Sequence, residues 1–283
     1  MATVTISRFA PSPSGRLHLG HAYSAVVARN AGARFLVRIE DLDAGRCRAE
    51  FIEGIFEDLR WLGIAWDGEP LVQSERTAEY DAALEKLRDL GLVYPCFCTR
   101  TDIAAALSAP HGASAAYPGT CRALPDDPAR RAGNAHSWRL DSAKAVALAG
   151  LPGWSEDGAR FNAGEGDIGD AILARKDAPA AYHLACVVDD AASGVDLVVR
   201  GADLRPSTPV QRLLQILLGL PEPAYLHHPL VAHGAAYEEG RRLAKRDLAP
   251  TLAAMRDAGV DGVMLAGELA AGRLPLEYRF IEA

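Results

Sequence analysis

The 283-residue chain contains no apolar run approaching the roughly 18–20 residues needed to cross a bilayer. Its first residues also lack the basic stretch and apolar core of a secretory signal. No membrane partner is expected, and a cytoplasmic place of action is. Cysteine is scarce and odd in number, five in all, which argues against a disulfide framework and for reduced thiols or a metal site. Nor is positive charge in excess. Lys and Arg number 30 against 37 Asp and Glu, a net charge of -7, so the chain is not a simple nucleic-acid coat. Two local clusters can still meet phosphates: Arg122, Arg130, Arg131 and Arg139 in the middle, and Arg241, Arg242, Lys245 and Arg246 near the end. Apolar content of 49% and charged content of 24% are those of an ordinary globular protein, and no internal repeat is present.

An alternating apolar segment, Thr3 to Phe9, leads through a Pro/Ser/Gly turn into an Ala-rich helical pattern from His21. Strand, loop, helix is the arrangement with which α/β proteins hold nucleotides. Gly15 and Gly20 permit close approach of a ligand to the backbone, and a helix starting near residue 20 offers N–H groups and a positive dipole end to an anion. A P-loop would need a Lys-Ser/Thr pair where His21-Ala22 stands, which rejects that motif. The run His18-Leu19-Gly20-His21 instead supplies imidazoles that can hydrogen-bond phosphate oxygens. Phe35, Val37 and Ile39 alternate with Leu36, Arg38 and Glu40 as a largely buried strand, completing a βαβ unit. Helical spacing recurs over 48–62, and again through Tyr80, Leu84, Leu87 and Leu90, whose apolar faces belong to a core.

The run Arg8-Phe9-Ala10-Pro11-Ser12-Pro13-Ser14-Gly15 with His18-Leu19-Gly20-His21 resembles the first signature of class I aminoacyl-tRNA synthetases. With Val37-Arg38-Ile39-Glu40-Asp41-Leu42-Asp43 it looks like their glutamyl branch. The resemblance implies that Arg8, Phe9, Ala10, Pro11 and Ser12 form one wall of a glutamate pocket completed by Glu40, Tyr182 and Arg200. Arg200 stands in Arg200-Gly201-Ala202-Asp203-Leu204, and Tyr182 opens Tyr-His-Leu-Ala-x-Val-Val-Asp-Asp. Glu40 is expected to meet the ammonium group. ATP, accompanied by Mg2+, would be met by His18, Gly20 and His21 on one side and by Lys245 on the other. Arg242-Leu243-Ala244-Lys245-Arg246 matches the second family signature, KMSKS, only in part: both serines are replaced and the first lysine is arginine.

From 95 to 180 the texture changes to cysteines, a Ser/Ala/Gly/Pro-rich stretch and Gly-rich loops. Cys96, Cys98 and Cys121 are three donors at close spacing, which suits zinc as well as it suits buried free thiols. With Tyr117 they resemble the zinc site of a short glutamyl-synthetase paralogue, in which the tyrosine is the fourth ligand. His111 is the alternative, imidazole being the commoner zinc donor. Beyond this segment, Ser207 or Thr208 can cap a helix with Pro209 in its first turn.

The fold expected is α/β: a Rossmann-like class I core (1–94 and 181–249, the latter with the KMSKS-like loop), an inserted zinc-containing acceptor-type domain (95–180) and short C-terminal helices (250–283). After Lys245 only 38 residues follow, so no anticodon-binding domain is expected. The zinc pattern and altered second signature resemble paralogues that activate L-glutamate with ATP. These esterify it to queuosine in the anticodon loop of tRNA(Asp). A monomer is expected. A minimal synthetase charging tRNA(Glu), a non-catalytic tRNA- or nucleotide-binding paralogue, and a ligase for a small acceptor are the other readings.

Overall fold

The computed structural model describes residues 4–99, 101–102, 117–125, 127–233 and 250–281. The first part of the chain forms β1 (Ile6–Phe9), α1 (Leu19–Ala31), β2 (Arg34–Ile39), α2 (Ala49–Trp61), β3 (Leu71–Val72) and α3 (Thr77–Asp89). The middle forms β4 (Val93–Cys96), α4 (Pro128–Gly133), β5 (Ser137–Leu140), α5 (Ser142–Ala149), β6 (Gly153–Glu156), β7 (Ala159–Asn162) and β8 (Ile172–Ala174). The last part forms α6 (Tyr182–Ala192), β9 (Leu197–Gly201), α7 (Thr208–Leu218), β10 (Ala224–His228), β11 (Leu230–His233), α8 (Leu252–Asp257), α9 (Gly262–Ala270) and β12 (Tyr278–Ile281).

Two sheets carry the core. β1, β2 and β3 are parallel, and β9 pairs in parallel with β10, which pairs in parallel with β6. The β6–β7 hairpin, from the middle of the chain, thus extends the sheet of the last part. Helix α1 lies close to β1 because the face it buries is mostly alanine, Ala22, Ala25 and Ala28. Ser7 Oγ donates to Ala28 O at 2.6 Å, and a Cβ at Gly32 would collide with Ser7 Oγ and Arg34 O. Phe35, Val37 and Ile39 are buried as their alternation predicts. Leu90 departs from its helical set: Tyr80, Leu84 and Leu87 are buried, but Leu90 falls at the C-cap of α3 and is exposed.

β4, β5 and β8 make a separate antiparallel sheet, and β11 and β12 a hairpin-like pair. Asp170 ties the first of these together: Tyr94, Arg122 and Ser142 all donate to its carboxylate. No helix among the described residues is long and apolar enough to cross a membrane.

Candidate active site

β1 and β9 are the facing edges of the two core sheets, and no ladder joins them. At one end Asp196 N donates to Ile6 O at 3.2 Å and Ile6 N to Asp196 Oδ1 at 2.7 Å. At the other, Arg8 reaches across with its side chain, Nη1 donating to Val199 O at 3.0 Å. Strand order therefore diverges here, toward β2 on one side and β10 on the other, and such a switch point is where an open α/β sheet leaves a crevice. A cavity of about 400 Å³ occupies it, bringing together Arg8, Phe9, Ala10, Pro11, Ser12, His18, Gly20, His21, Glu40, Tyr182 and Arg200.

Three buried guanidiniums dominate the electrostatics. Asp190, from α6, accepts from Arg8 Nε at 3.0 Å and from Arg38 Nη1, and Arg38 Nη2 meets Glu40 at 3.0 Å. Burial works against the Arg8 charge, but Asp190 more than offsets it and holds the arginine's pKa above its usual value. The Asp190 carboxyl stays well below the ordinary range because Arg38 and Arg8 outweigh its own desolvation. Burial, only partly countered by Arg38, raises Glu40.

Arg200 differs from the other two: among the described residues all its hydrogen-bond partners are neutral. Nε donates to His227 Nε2 at 3.1 Å, Nη1 to Gln211 Oε1 at 2.6 Å and Tyr182 OH at 3.4 Å, and Nη2 to Thr208 Oγ1 at 2.8 Å. Thr208 spends its hydroxyl here rather than on a cap, and Ser207, the N-cap residue of α7, makes no side-chain capping bond. Arg8 and Arg38 thus pair with Asp190 and Glu40, whereas Arg200 has no acidic hydrogen-bond partner among the described residues.

His18 caps α1. Its Nδ1 accepts from Gly20 N at 3.1 Å, and His18 N donates to His21 Nδ1 at 3.2 Å, a reciprocal box that brings the ring centroids to 3.9 Å. With Nδ1 accepting in each, the neutral rings carry their protons on Nε2, a tautomer assigned from the bonding pattern. A Cβ at Gly20 would sit 3.1 Å from the His18 ring, so the absent side chain serves the cap as well as any ligand. The cavity has further walls to which the sequence reading gave no weight: Ser24, Asp203, and His228 to Val231 at the β10–β11 turn. Ser24 Oγ lies 2.8 Å from His228 Nε2, a ring whose pKa burial lowers. The adjacent His227-His228-Pro229 was the available signal. Lys245, Arg241, Arg242, Arg246 and His111 lie outside the described residues.

A second cluster lies at the end of β4. The sulfurs of Cys96, Cys98 and Cys121 all fall within 4.8 Å of one another and could hold a metal ion. Tyr117 OH is 3.4 Å from Cys96 Sγ and from Cys98 Sγ, and Cys98 Sγ is 3.6 Å from Cys121 Sγ. A tetrahedral zinc ion with usual bond lengths has edges of about 3.8 Å between sulfurs and about 3.5 Å between sulfur and oxygen. The three separations given are compatible with these edges, and Tyr117 OH lies where a fourth donor could sit. Burial pushes the Cys98 thiol up to about 11, a proton that a metal would have to displace.

The central basic cluster does not act as one patch. Arg139 is buried over the Tyr117 ring at 3.8 Å, Arg122 pairs with Asp170, and Arg130 and Arg131 lie over Phe97 and Trp138 at 4.3 and 5.8 Å.

A βαβ start, a switch-point cavity and a His-x-Gly-His helix cap together define a class I tRNA synthetase catalytic core. The family "tRNA synthetases class I (E and Q), catalytic domain" matches residues 4–266. The protein from Nocardia farcinica named glutamyl-Q tRNA(Asp) synthetase is 48% identical over 261 residues, covering 89% of this chain and 79% of that one. One of the same name from Rhodobacter capsulatus is 44% identical over 274 residues, covering 90% and 95%. Among solved structures, a glutamate-tRNA synthetase from Elizabethkingia anophelis superposes with a TM-score of 0.77 at 26% identity, over 95% of this chain. A glutamate tRNA ligase from Elizabethkingia meningosepticum in complex with its amino acid gives 0.75 at 25%. This chain spans 61% and 60% of the length of those two. The chain belongs to the class I (E and Q) tRNA synthetases, a family of ligases, and within them to the glutamyl-Q tRNA(Asp) synthetase family.

Proposed function

We propose that the protein activates L-glutamate with ATP to glutamyl-adenylate and transfers the glutamyl group to queuosine in the anticodon loop of tRNA(Asp). The observation that carries the amino-acid half is Arg200, a buried guanidinium on the cavity wall whose partners among the described residues are all neutral. A buried cation so placed favours a ligand carboxylate. The acceptor half rests on the names of the relatives.

In this reading Arg8, Tyr182 and Arg200 take the side-chain carboxylate, and Glu40, held against Arg38, takes the ammonium group. Phe9, Ala10, Pro11 and Ser12 shape the wall between them. The reacting α-carboxylate is ionised at neutral pH, so attack on the ATP α-phosphorus needs no base. The chain's own contribution is to align the two reactants and stabilise charge on the phosphoryl oxygens. His18 and His21 donate from Nε2, Gly20 opens the helix N-terminus to the anion, and Lys245 meets the phosphates opposite. Mg2+, held mainly by the phosphates, supplies further charge neutralisation. Cys96, Cys98, Tyr117 and Cys121 would hold one zinc ion in a closed, structural site that orders the 95–180 domain. A cytoplasmic reaction is consistent with ATP and tRNA as the proposed substrates.

The test is transfer of labelled glutamate, with ATP and Mg2+, to tRNA(Asp) with and without queuosine, and to tRNA(Glu). Label confined to queuosine-containing tRNA(Asp) is expected. Label on tRNA(Glu) would make the protein a minimal charging synthetase, the activity named for its structural neighbours; label on neither would end both readings.

A further inference from the structure

Behind the cavity, Arg200 is the first member of a buried chain that the reading above does not use. Its Nε donates to His227 Nε2 at 3.1 Å, and the other ring nitrogen, His227 Nδ1, lies 3.0 Å from Glu156 Oε1, a close approach to the carboxylate that lacks the geometry of a hydrogen bond. Glu156 in turn accepts from Trp154 Nε1 at 3.1 Å and pairs with Arg205. Both His227 and Glu156 side chains are almost wholly buried. The imidazole is stacked parallel to Tyr225 at 6.0 Å, two residues earlier on the same face of β10. Glu156 arrives from the other side of the sheet, on β6, whose register places it opposite Tyr225.

The bonding pattern fixes the protonation. Nε2 accepts from a guanidinium, so it carries no proton, and the single ring proton sits on Nδ1 toward Glu156. Burial and the neighbouring Arg200 push the His227 pKa down to about 4, so the ring is neutral at physiological pH. The Glu156 carboxyl, despite its burial, is held below its ordinary value by Trp154, His227 and Arg205. A neutral ring thus separates a buried carboxylate from a buried guanidinium. If Glu156 bonded Arg200 directly, the pair would cancel the positive charge that a carboxylate ligand requires.

We infer that His227 and Glu156 are positioning residues for Arg200: the imidazole orients the guanidinium and keeps it from the Glu156 carboxylate, whose nearby negative charge favours the tautomer with its proton on Nδ1. Selectivity for a dicarboxylic amino acid then depends on a strand, β6, that comes from the middle segment of the chain. The inference rests on the glutamate reading for its kinetic consequence but not for its geometry.

The experiment compares His227→Phe, His227→Gln and Glu156→Gln with the wild type in glutamate-dependent ATP/pyrophosphate exchange. Phenylalanine keeps the ring and removes the acceptor; glutamine restores an acceptor for Arg200. His227→Phe should raise the glutamate KM about tenfold or more, the scale of a lost hydrogen bond to a charged group, with the ATP KM within about twofold of wild type. His227→Gln should recover most of that loss, and Glu156→Gln should raise the glutamate KM alone. Equal rises in both KM values, or no recovery with glutamine, would reduce the chain to a packing element. Nitrogen NMR of the free protein decides the geometry independently of substrate. A proton on Nδ1 of His227, with the Arg200 Nε–H signal displaced in His227→Phe, is expected; a proton on Nε2 or an unmoved Arg200 signal would overturn the inference. A wild type that exchanges with no glutamate would remove the activity reading and leave the NMR result standing.

Discussion

Replacing Asp190 with asparagine removes one charge and almost no volume from the buried ion-pair cluster behind the cavity wall. Asp190 Oδ1 accepts from both Arg8 Nε and Arg38 Nη1, and all three side chains are 5% exposed or less. Without the carboxylate, Glu40, at 3.0 Å from Arg38, is the only acidic partner left to either arginine among the described residues. Breaking a buried pair by neutralising one member costs about 3–5 kcal/mol, because the surviving charge is left desolvated. For a chain of this size that corresponds to a fall in Tm on the order of 10 °C. The pH dependence gives a second readout. The Asp190 pKa is depressed in the folded state, so its stabilisation is fully present above the unfolded value of about 3.9 and disappears as pH falls toward the folded one. Urea unfolding at neutral pH and again below pH 4 should therefore show a large gap between wild type and Asp190→Asn that narrows in acid. A gap under about 1 kcal/mol at neutral pH, or one that widens in acid, would refute the claim that this carboxylate compensates two buried cations.

Two further outcomes follow from the site. Arg200→Ala should raise the glutamate KM about ten- to a hundredfold while the ATP KM stays within about twofold; parallel changes in steady-state exchange would remove Arg200 from the amino-acid pocket. Purified protein should carry about one zinc per chain, and Cys98→Ser should lose most of it while retaining glutamate-dependent exchange. Metal analysis beside the exchange rate checks both halves.

The parts of the cavity legible in the sequence are those built from contiguous residues. Arg8 to Ser12, His18 to His21 and Glu40 each lie at the end of a regular element of the first βαβ unit, which periodicity and turn residues outline, while the family resemblance is what singled out Arg8 to Ser12 and Glu40. Arg200 and Tyr182 needed the family resemblance, since each is remote in sequence from the rest. Glu156, His227 and Gln211 were invisible because they meet only through the β6–β10 pairing and the packing of α7, which no local pattern encodes. Local propensity also misled in two places. Thr208 looks like a cap but bonds Arg200, and Leu90 has the right spacing but falls where α3 ends. Arg139 illustrates the same limit for charge: a cluster of arginines in sequence resolves into a buried stack, an ion pair and two aromatic contacts.

The expectation that metal loss spares activation comes from comparing how the middle segment is tied to the core. Beyond the apolar packing of its sheet against α6 and α7, the polar link from the cysteine cluster to the cavity runs through Lys176, whose Nζ donates to Phe97 O and Cys98 O at 3.0 and 3.2 Å, and then through Arg175 to Asp43 at 3.3 Å, in the loop that follows Glu40. Arg175 and Asp43 are 33% and 21% exposed, and ion pairs open to solvent contribute little and hold geometry loosely. The contact of Glu156 with His227 is almost fully buried and lies within a pair of hydrogen-bonded strands. Unlike an exposed ion pair, it cannot shift without stranding a buried charge. Set side by side, the second tie governs where Arg200 sits, and the first governs how the loop around Cys96 to Cys121 is presented. Loss of the metal should then act on a large substrate that reaches the middle segment and leave the amino-acid pocket intact. Were Cys98→Ser to raise the glutamate KM as much as Glu156→Gln, the exposed chain of contacts would have to be the stronger of the two, and the assignment of rigidity to the buried strand pair would be wrong.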